Sequence, residues 1–158
     1  MQGTIKTNKG DITIEFFDQV NPNTVDNFVK LAKSGFYNDV KFHRIIRNFM
    51  IQGGDPLTKD ETKKHLWGTG GPGYKFDDEI GPTNSNAAGT ISMANTGRNT
   101  NGSQFFINLV DNHFLNSKHT AFGKVVSGMD VVTTIGGVPT SGSDQPIEPV
   151  IIESVSFE

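Results

Sequence analysis

The run Phe42-His43-Arg44-Ile45-Ile46-Arg47-Asn48-Phe49-Met50-Ile51-Gln52-Gly53-Gly54-Asp55 carries the residue types best suited to chemistry. It sets a permanent cation, Arg44, among apolar residues expected to be buried. A guanidinium is rarely kept in such company unless something holds it or uses it. The run offers no thiol, hydroxyl or acid that could attack a substrate until Asp55. Chemistry here should therefore be hydrogen bonding and shape, not covalent attack. A second run, Ser92 to Ile107, surrounds Phe105 and Phe106 with small and amide residues, among them Ala94, Asn95 and Gln104. On a strand the two phenylalanines must face opposite sides, so one can fill the core while the other lines a surface pocket. Downstream, Phe114-Leu115 and Lys118-His119 add an apolar pair and a titratable ring. Arg44, Gln52, Asn95, Gln104 and His119 can supply hydrogen bonds. Phe49, Met50, Phe106, Phe114 and Leu115 can supply an apolar wall. Such a pocket suits a small hydrophobic ring beside a peptide backbone, but spacing alone does not assemble it.

Other motifs match in form and fail in context. Gly68-Thr69-Gly70-Gly71-Pro72-Gly73 satisfies G-x-G-x-x-G. A dinucleotide site needs a buried strand before it and a helix after it, and here Pro72 and polar flanks interrupt. The expectation is a tight surface loop. A phosphate loop is excluded because Tyr74 stands where Lys is required. Asn101-Gly102-Ser103 matches a glycosylation acceptor by chance. His43, His65, His113 and His119 are scattered, with no pair at zinc-motif spacing, so no metal site is expected. Asp77-Asp78-Glu79 reads as a solvated face, and no Ser sits in a nucleophile elbow. The absence of cysteine excludes disulfides and thiol chemistry. A net charge of −3 suggests neither a nucleic-acid nor an anionic-membrane partner, and Lys63-Lys64-His65 is too short for a basic patch. No apolar run approaches the ~20 residues of a membrane-spanning helix. The N-terminus, MQGTIKTNKG, lacks a signal-peptide apolar region. A soluble, cytoplasmic chain is the expectation.

The elements that must position these residues are short. With 158 residues the chain fits a single domain, 1–158, that buries roughly 70% of its unfolded surface. Eighteen glycines imply many tight turns, and twelve phenylalanines imply a core of plain aromatic bulk. Gln2 to Thr7 and Asp11 to Phe16 alternate around Asn8-Lys9-Gly10, a hairpin signal. Asn21-Pro22 opens a helix, with Asn21 a cap, and Val25, Phe28, Val29 and Ala32 form one apolar face before Gly35 ends it. Lys41 to Arg47, Phe49 to Gly53, Gly89 to Asn95, Gln104 to Leu109, Ala121 to Val126 and Val150 to Phe157 read as strands. Met129 to Ile135 reads as a second short helix. Asp55 to Pro82 is a long, charged, glycine-rich loop, and such loops inside compact domains are usually functional. Many short strands and two helices argue for a barrel or sandwich.

F-H-R-I-I-x-x-F-M-I-Q-G-G-D, G-T-G-G, S-M-A-N-T-G, N-T-N-G-S-Q-F-F-I and L-N-S-K-H-T-A-F-G-K-V, in this order from about Asp11 to Gly128, resemble the cyclophilins. Those are peptidyl-prolyl cis–trans isomerases. The resemblance implies a mostly β fold, a closed eight-stranded antiparallel β-barrel with a helix over each end and an active groove on its outer surface. It points to a single-domain, prokaryotic-like member. Carried over, Arg44 matches the catalytic arginine. Phe49, Met50, Phe106 and Leu115 match the proline pocket. Gln52, Ala94, Asn95 and Gln104 match the peptide groove, and His119 the pocket histidine. Phe114 stands where many members have Trp, a residue associated with tight cyclosporin binding, so weak cyclosporin binding is implied. Arg98 stands where many have Pro, and Arg47-Asn48 replaces a commoner Pro-Gly-like turn. Leu57 to Trp67 also departs from the usual form. The implied activity is a monomer acting on proline-containing polypeptides, assisting their folding without cofactor or metal. A non-catalytic module or chaperone that holds proline segments would keep Phe49, Met50 and Phe106 without needing Arg44 or Gln52. A structural component of a larger complex finds no repeat or coiled coil to support it. A hydrolase lacks a nucleophile–base pair.

Overall fold

The computed structural model describes residues 1–158. The alternating N-terminal runs pair as expected. Strand β1 (Gln2–Thr7) lies antiparallel to β2 (Gly10–Phe16), with Thr7 opposite Gly10 across the turn. Helix α1 (Pro22–Lys33) follows, then β3 (Arg44–Ile46), β4 (Met50–Gly53), β5 (Thr90–Met93), β6 (Phe105–Asn108), β7 (Ala121–Ser127), α2 (Met129–Gly136) and β8 (Ile152–Phe157). The strands are mostly shorter than the runs that announce them. The segment Asp55 to Pro82 is not uniform loop. It contains two 3-10 turns, Pro56–Lys59 and Glu61–Leu66, each opened by an aspartate whose side chain accepts from a backbone N–H, Asp55 from Leu57 and Asp60 from Thr62.

The eight strands form one sheet in the order β3-β4-β6-β5-β7-β2-β1-β8. The closed barrel implied by the resemblance is not what forms: the curled sheet is open between β3 and β8. β3 spans three residues and turns at once through Arg47–Phe49, leaving too short an edge for a ladder. The gap is spanned by the segment before β3. Lys41 bridges Ile151, Phe42 N–H donates to Val150 O (2.9 Å), and Ile152 N–H donates to Val40 O (2.8 Å).

Inside, strand register builds a belt. Ile45, Ile51, Ile107 and Ile91 lie opposite one another across β3, β4, β6 and β5, all essentially buried. The row ends at Gly123 on β7. A Cβ there would sit 2.8 Å from a methyl of Ile14 and 3.1 Å from one of Ile91, so only glycine lets the sheet curl this tightly. Burial of each isoleucine contributes about 1.5–3 kcal/mol. Helix α1 presents Val25, Phe28, Val29 and Ala32 to this core, as its spacing predicts. Phe28 meets the rings of Tyr37 (5.0 Å), Phe16 (5.4 Å), Phe105 (5.6 Å) and Phe122 (5.6 Å). Helix α2 adds Val132 and Ile135 from its contacts with β2, β3 and β4.

Asn21 does not cap α1 with its side chain, contrary to expectation. Its amide instead donates to Glu79 O (2.9 Å), and the Glu79 carboxylate takes the first-turn N–H groups of Thr24 (2.6 Å) and Asn23 (3.3 Å). A full negative charge at a helix N-terminus interacts better with the dipole than a neutral amide does. Glu79 is thus no idle member of an acidic face, because it ties the long loop to α1.

Candidate active site

Residues one step along each central strand point outward, and their register makes a second row. Arg44 lies opposite Gln52, Gln52 opposite Phe106, and Phe106 opposite Ser92. Arg44 is exposed, while His43 and Ile45 on either side are buried. Strand alternation explains its apolar neighbours, so the expectation of a guanidinium held in apolar surroundings is corrected: the cation stands on the outer surface. It forms no ion pair. Its Nη1 donates to Gln52 Oε1 at 3.3 Å.

That contact begins a relay. Gln52 Nε2 donates to Gln104 Oε1 (3.0 Å), and Gln104 Nε2 donates to the carbonyls of Gly68 (3.0 Å) and Gly70 (2.9 Å). The donors all point one way, which settles the orientation of both amides. The glycine loop is held from below by Asp55, fully buried on the turn after β4. One of its oxygens accepts from Gly68 N–H (2.6 Å) and Gly70 N–H (3.1 Å), the other from Leu57 N–H (2.8 Å). A side chain on Gly70 would collide with that carboxylate. His43 lies close to the same loop, its Nε2 3.5 Å from the position a Gly68 Cβ would take. Burial pushes the His43 pKa down to about 4, and the nearby Asp55 charge offsets only part of that. Its Nδ1 has no protein partner.

The apolar wall forms as the two phenylalanines predict. Phe105 joins the core, and Phe106 turns to the outer face, where its ring meets the His119 ring edge-on at 5.3 Å. Met50 is buried beside it on that face, outside the core cluster. Phe49 stacks on Phe114 at 6.0 Å between ring centres. Phe114 is 68% exposed, so it is a rim and not a wall. Leu115 is half-buried on the same short 3-10 turn, His113–Leu115. His119 Nδ1 lies 2.8 Å from Met93 O and 3.3 Å from Asn95 Nδ2. The Asn95 amide already donates to Lys118 O (2.8 Å), and its oxygen accepts from Gly97 N–H (3.2 Å). Met93 O can only accept, so the 2.8 Å contact puts a proton on His119 Nδ1.

Beside the apolar wall opens a groove of about 650 Å³. Gln52, Ala94, Asn95 and Gln104 line one side. The other side is the glycine loop, Gly68 to Gly73, with Tyr74 and Lys75. Arg98, noted for its departure from the common pattern, is exposed on the loop beyond Thr96.

The family model for "Cyclophilin type peptidyl-prolyl cis-trans isomerase/CLD" matches residues 3–157. The chain belongs to the cyclophilin family. Peptidyl-prolyl cis-trans isomerase ppi1 of Schizosaccharomyces pombe is 48% identical over 155 residues, 97% of each chain. Peptidyl-prolyl cis-trans isomerase-like 2 of Gibberella zeae is 45% identical over 152 residues. The chain spans only 25% of that relative's length. A crystal structure of a Cryptosporidium parvum cyclophilin type isomerase, solved in the presence of the dipeptide Ala-Pro, superimposes with a TM-score of 0.92. It is 36% identical, with 100% of this chain and 99% of that one covered. These relatives are eukaryotic, so they lend no support to a prokaryotic-like subtype.

In this cyclophilin the sequence reading missed two groups of residues. The glycine loop, set aside as a tight surface loop, is a wall of the groove and takes the Gln104 amide. The length of the Asp55–Pro82 segment marked it as functional, but not which of its residues face the groove. The second group is a set of buried asparagines, Asn86, Asn108 and Asn112, behind the apolar wall. No sequence signal marked them: Asn86 and Asn112 look like ordinary turn residues, and Asn108 falls inside the strand run Gln104 to Leu109. Asn101, the apparent glycosylation acceptor, is fully buried and donates to Phe76 O and Asp78, so the match is indeed incidental.

Proposed function

We propose that this chain accelerates rotation about X-Pro peptide bonds in polypeptides, with Arg44 donating to the proline nitrogen of the twisted amide. The observation that carries the reading is the outer row itself. A cation free of any carboxylate stands one strand away from Gln52 and two from Phe106, the ring of an apolar pocket. Rotation about the C–N bond meets a barrier of ~18–20 kcal/mol because resonance makes the bond partly double. The two X-Pro isomers lie within about 1 kcal/mol, so exchange is slow rather than unfavourable.

When the amide twists, resonance is lost and the proline nitrogen gains a lone pair. A guanidinium aimed at that nitrogen binds the twisted state better than either planar one, which is what lowers a barrier. Phe106, Met50, Phe49 and Leu115 grip the proline ring, while Phe114 closes the rim. Gln52 orients Arg44, and its own amide is oriented by Gln104. Asn95, Ala94 and His119 border the flanking backbone. Each of these groups binds or orients, and none needs to form a bond. The reading supports assistance to protein folding at slow X-Pro steps, with proline-containing polypeptides as substrates. Two-dimensional exchange NMR on a panel of X-Pro peptides tests it. The native chain should raise the exchange rate in proportion to its concentration, and exchange at the uncatalysed rate across the panel would refute it.

A further inference from the structure

The apolar pocket has two walls on irregular chain. Phe49 follows a turn whose Asn48 adopts φ +61°, and Leu115 to His119 follow a single 3-10 turn. Each is tied to the sheet at one end, Phe49 O by Leu109 N–H (2.9 Å) and His119 Nδ1 by Met93 O (2.8 Å), but no ladder joins one segment to the other. Between them, on the outer face of β5 and β6, lie three amides that are 0–3% exposed, Asn86, Asn108 and Asn112. A buried amide is costly unless every group is satisfied, and directional once it is.

We infer that Asn112, Asn108 and Asn86 are positioning residues that set the width of the proline pocket, by tying the Phe49 wall to the His119 wall through one buried hydrogen-bond circuit. The inference rests on the isomerase reading of that pocket. The circuit can be followed atom by atom. Asn112 Nδ2 donates to Phe49 O (3.0 Å) and to Asn108 Oδ1 (2.9 Å). Asn108 Nδ2 donates to Thr90 Oγ1 (2.8 Å) and Asn86 Oδ1 (3.2 Å). Asn86 Nδ2 donates to His119 O (3.2 Å), a carbonyl that also accepts from Asn84 Nδ2 (2.9 Å). Ser92, directly across from Phe106, donates its hydroxyl to Asn86 Oδ1 (2.6 Å), so the circuit also passes the floor of the pocket. The backbone reinforces it. Asn112 N–H donates to Asn86 O (2.8 Å), and Asn86 N–H donates to Asn116 Oδ1 (2.7 Å).

Asn86 and Asn108 use both NH2 and oxygen, and Asn112 donates from its NH2 to two acceptors, so the donors fix one arrangement of the circuit. An apolar filling of the same space would bury as well but would leave the two walls joined only through the sheet and through Asn84, which donates to His119 O. The amides hold Phe49 O and His119 O at one separation, and that separation decides which ring the pocket accepts.

Ring-size selectivity tests this. The affinities of Ala-Pro and Ala-pipecolate dipeptides, five- and six-membered rings, are measured by NMR titration for the native chain and for Asn108→Ala. With the walls released, the Kd ratio should shift at least fivefold toward the larger ring. An unchanged ratio, or equal weakening of both peptides, means the residue only supports the fold and overturns the inference. If Asn108→Ala folds poorly, the native chain decides. On titration with Ala-Pro, the side-chain NH2 signals of Asn108 and Asn112 should move on the same binding curve as the backbone amides of Phe49 and His119. Static amides beside a shifting Phe49 would overturn it. Dipeptide binding is read without turnover, so a native chain that binds Ala-Pro but fails to isomerise X-Pro peptides counts against the catalytic reading and not against the circuit.

Discussion

Replacement of Arg44 by alanine separates catalysis from support of the fold. The side chain is exposed, forms no ion pair, and makes one long hydrogen bond to Gln52. Removing it leaves no buried partner stranded, because Gln52 is only half-buried and still donates to Gln104. Stability should therefore change by less than about 0.5 kcal/mol, as for ordinary surface substitutions. The rate should respond differently. A donor buried in an oxyanion hole is worth about 2.7–4 kcal/mol of barrier. Arg44 works at a water-accessible rim, so its effect should lie closer to the roughly 1.5–3 kcal/mol of a hydrogen bond to a charged group. At 1.36 kcal/mol per tenfold in rate, that is a fall in kcat/KM of about 10- to 150-fold. Arg44→Lys keeps the charge but not the planar fork, and should fall between the two. The assay is exchange NMR or protease-coupled isomerisation of an X-Pro peptide, with thermal unfolding in parallel. A variant that keeps its fold and works within threefold of the native rate would refute the role given to Arg44. A large fall in thermal stability would refute the claim that Arg44 stands free of structural duty.

Three further outcomes follow from the geometry. His43 takes up a proton near pH 6.5 when unfolded but only near 4 when folded, so the folded form loses stability as pH falls through that window. The loss should reach about 3 kcal/mol by pH 4, and urea unfolding at pH 7 and 4.5 should show a steeper decline for the native chain than for His43→Gln. Equal slopes would mean that other groups carry the effect. Gly70→Ala drives a methyl into the Asp55 carboxylate, which should destabilise the fold by about 1–3 kcal/mol and weaken X-Pro peptide binding by moving the Gln104 acceptors. An unshifted melting temperature would show that the loop yields more easily than its hydrogen bonds suggest. Phe114→Trp, on a largely exposed ring, should leave stability unchanged and tighten cyclosporin binding at least tenfold by calorimetry, whereas an unchanged affinity would place the discrimination elsewhere.

Much of the candidate site could be read in the chain, because local rules acted on it. Alternation required Phe105 and Phe106 to face opposite sides, the resemblance named Phe106 for the pocket, and the same alternation explains why Arg44 is exposed between His43 and Ile45. The apolar face of α1 and its terminus near Gly35 followed from spacing. What failed to show were relations between distant segments. Asn21 looked like a helix cap, yet Glu79, 58 residues further along the chain, supplies the charge that α1 prefers. The long loop reads as functional from its length, but nothing local shows that Asp55 grips its glycines and Gln104 leans on them.

The sequence by itself determined most strand and helix positions, the opposite facing of Phe105 and Phe106, and a family resemblance strong enough to name the candidate residues. Those properties depend on neighbours two to four positions away. Only the tertiary structure decided that the sheet stays open between β3 and β8, that the relay from Arg44 ends on the carbonyls of Gly68 and Gly70, and that three asparagines meet behind the pocket. Hydrogen-bond partners are chosen by position in space, and an amide that looks like a turn residue in the chain becomes a structural strut only when folding removes its water.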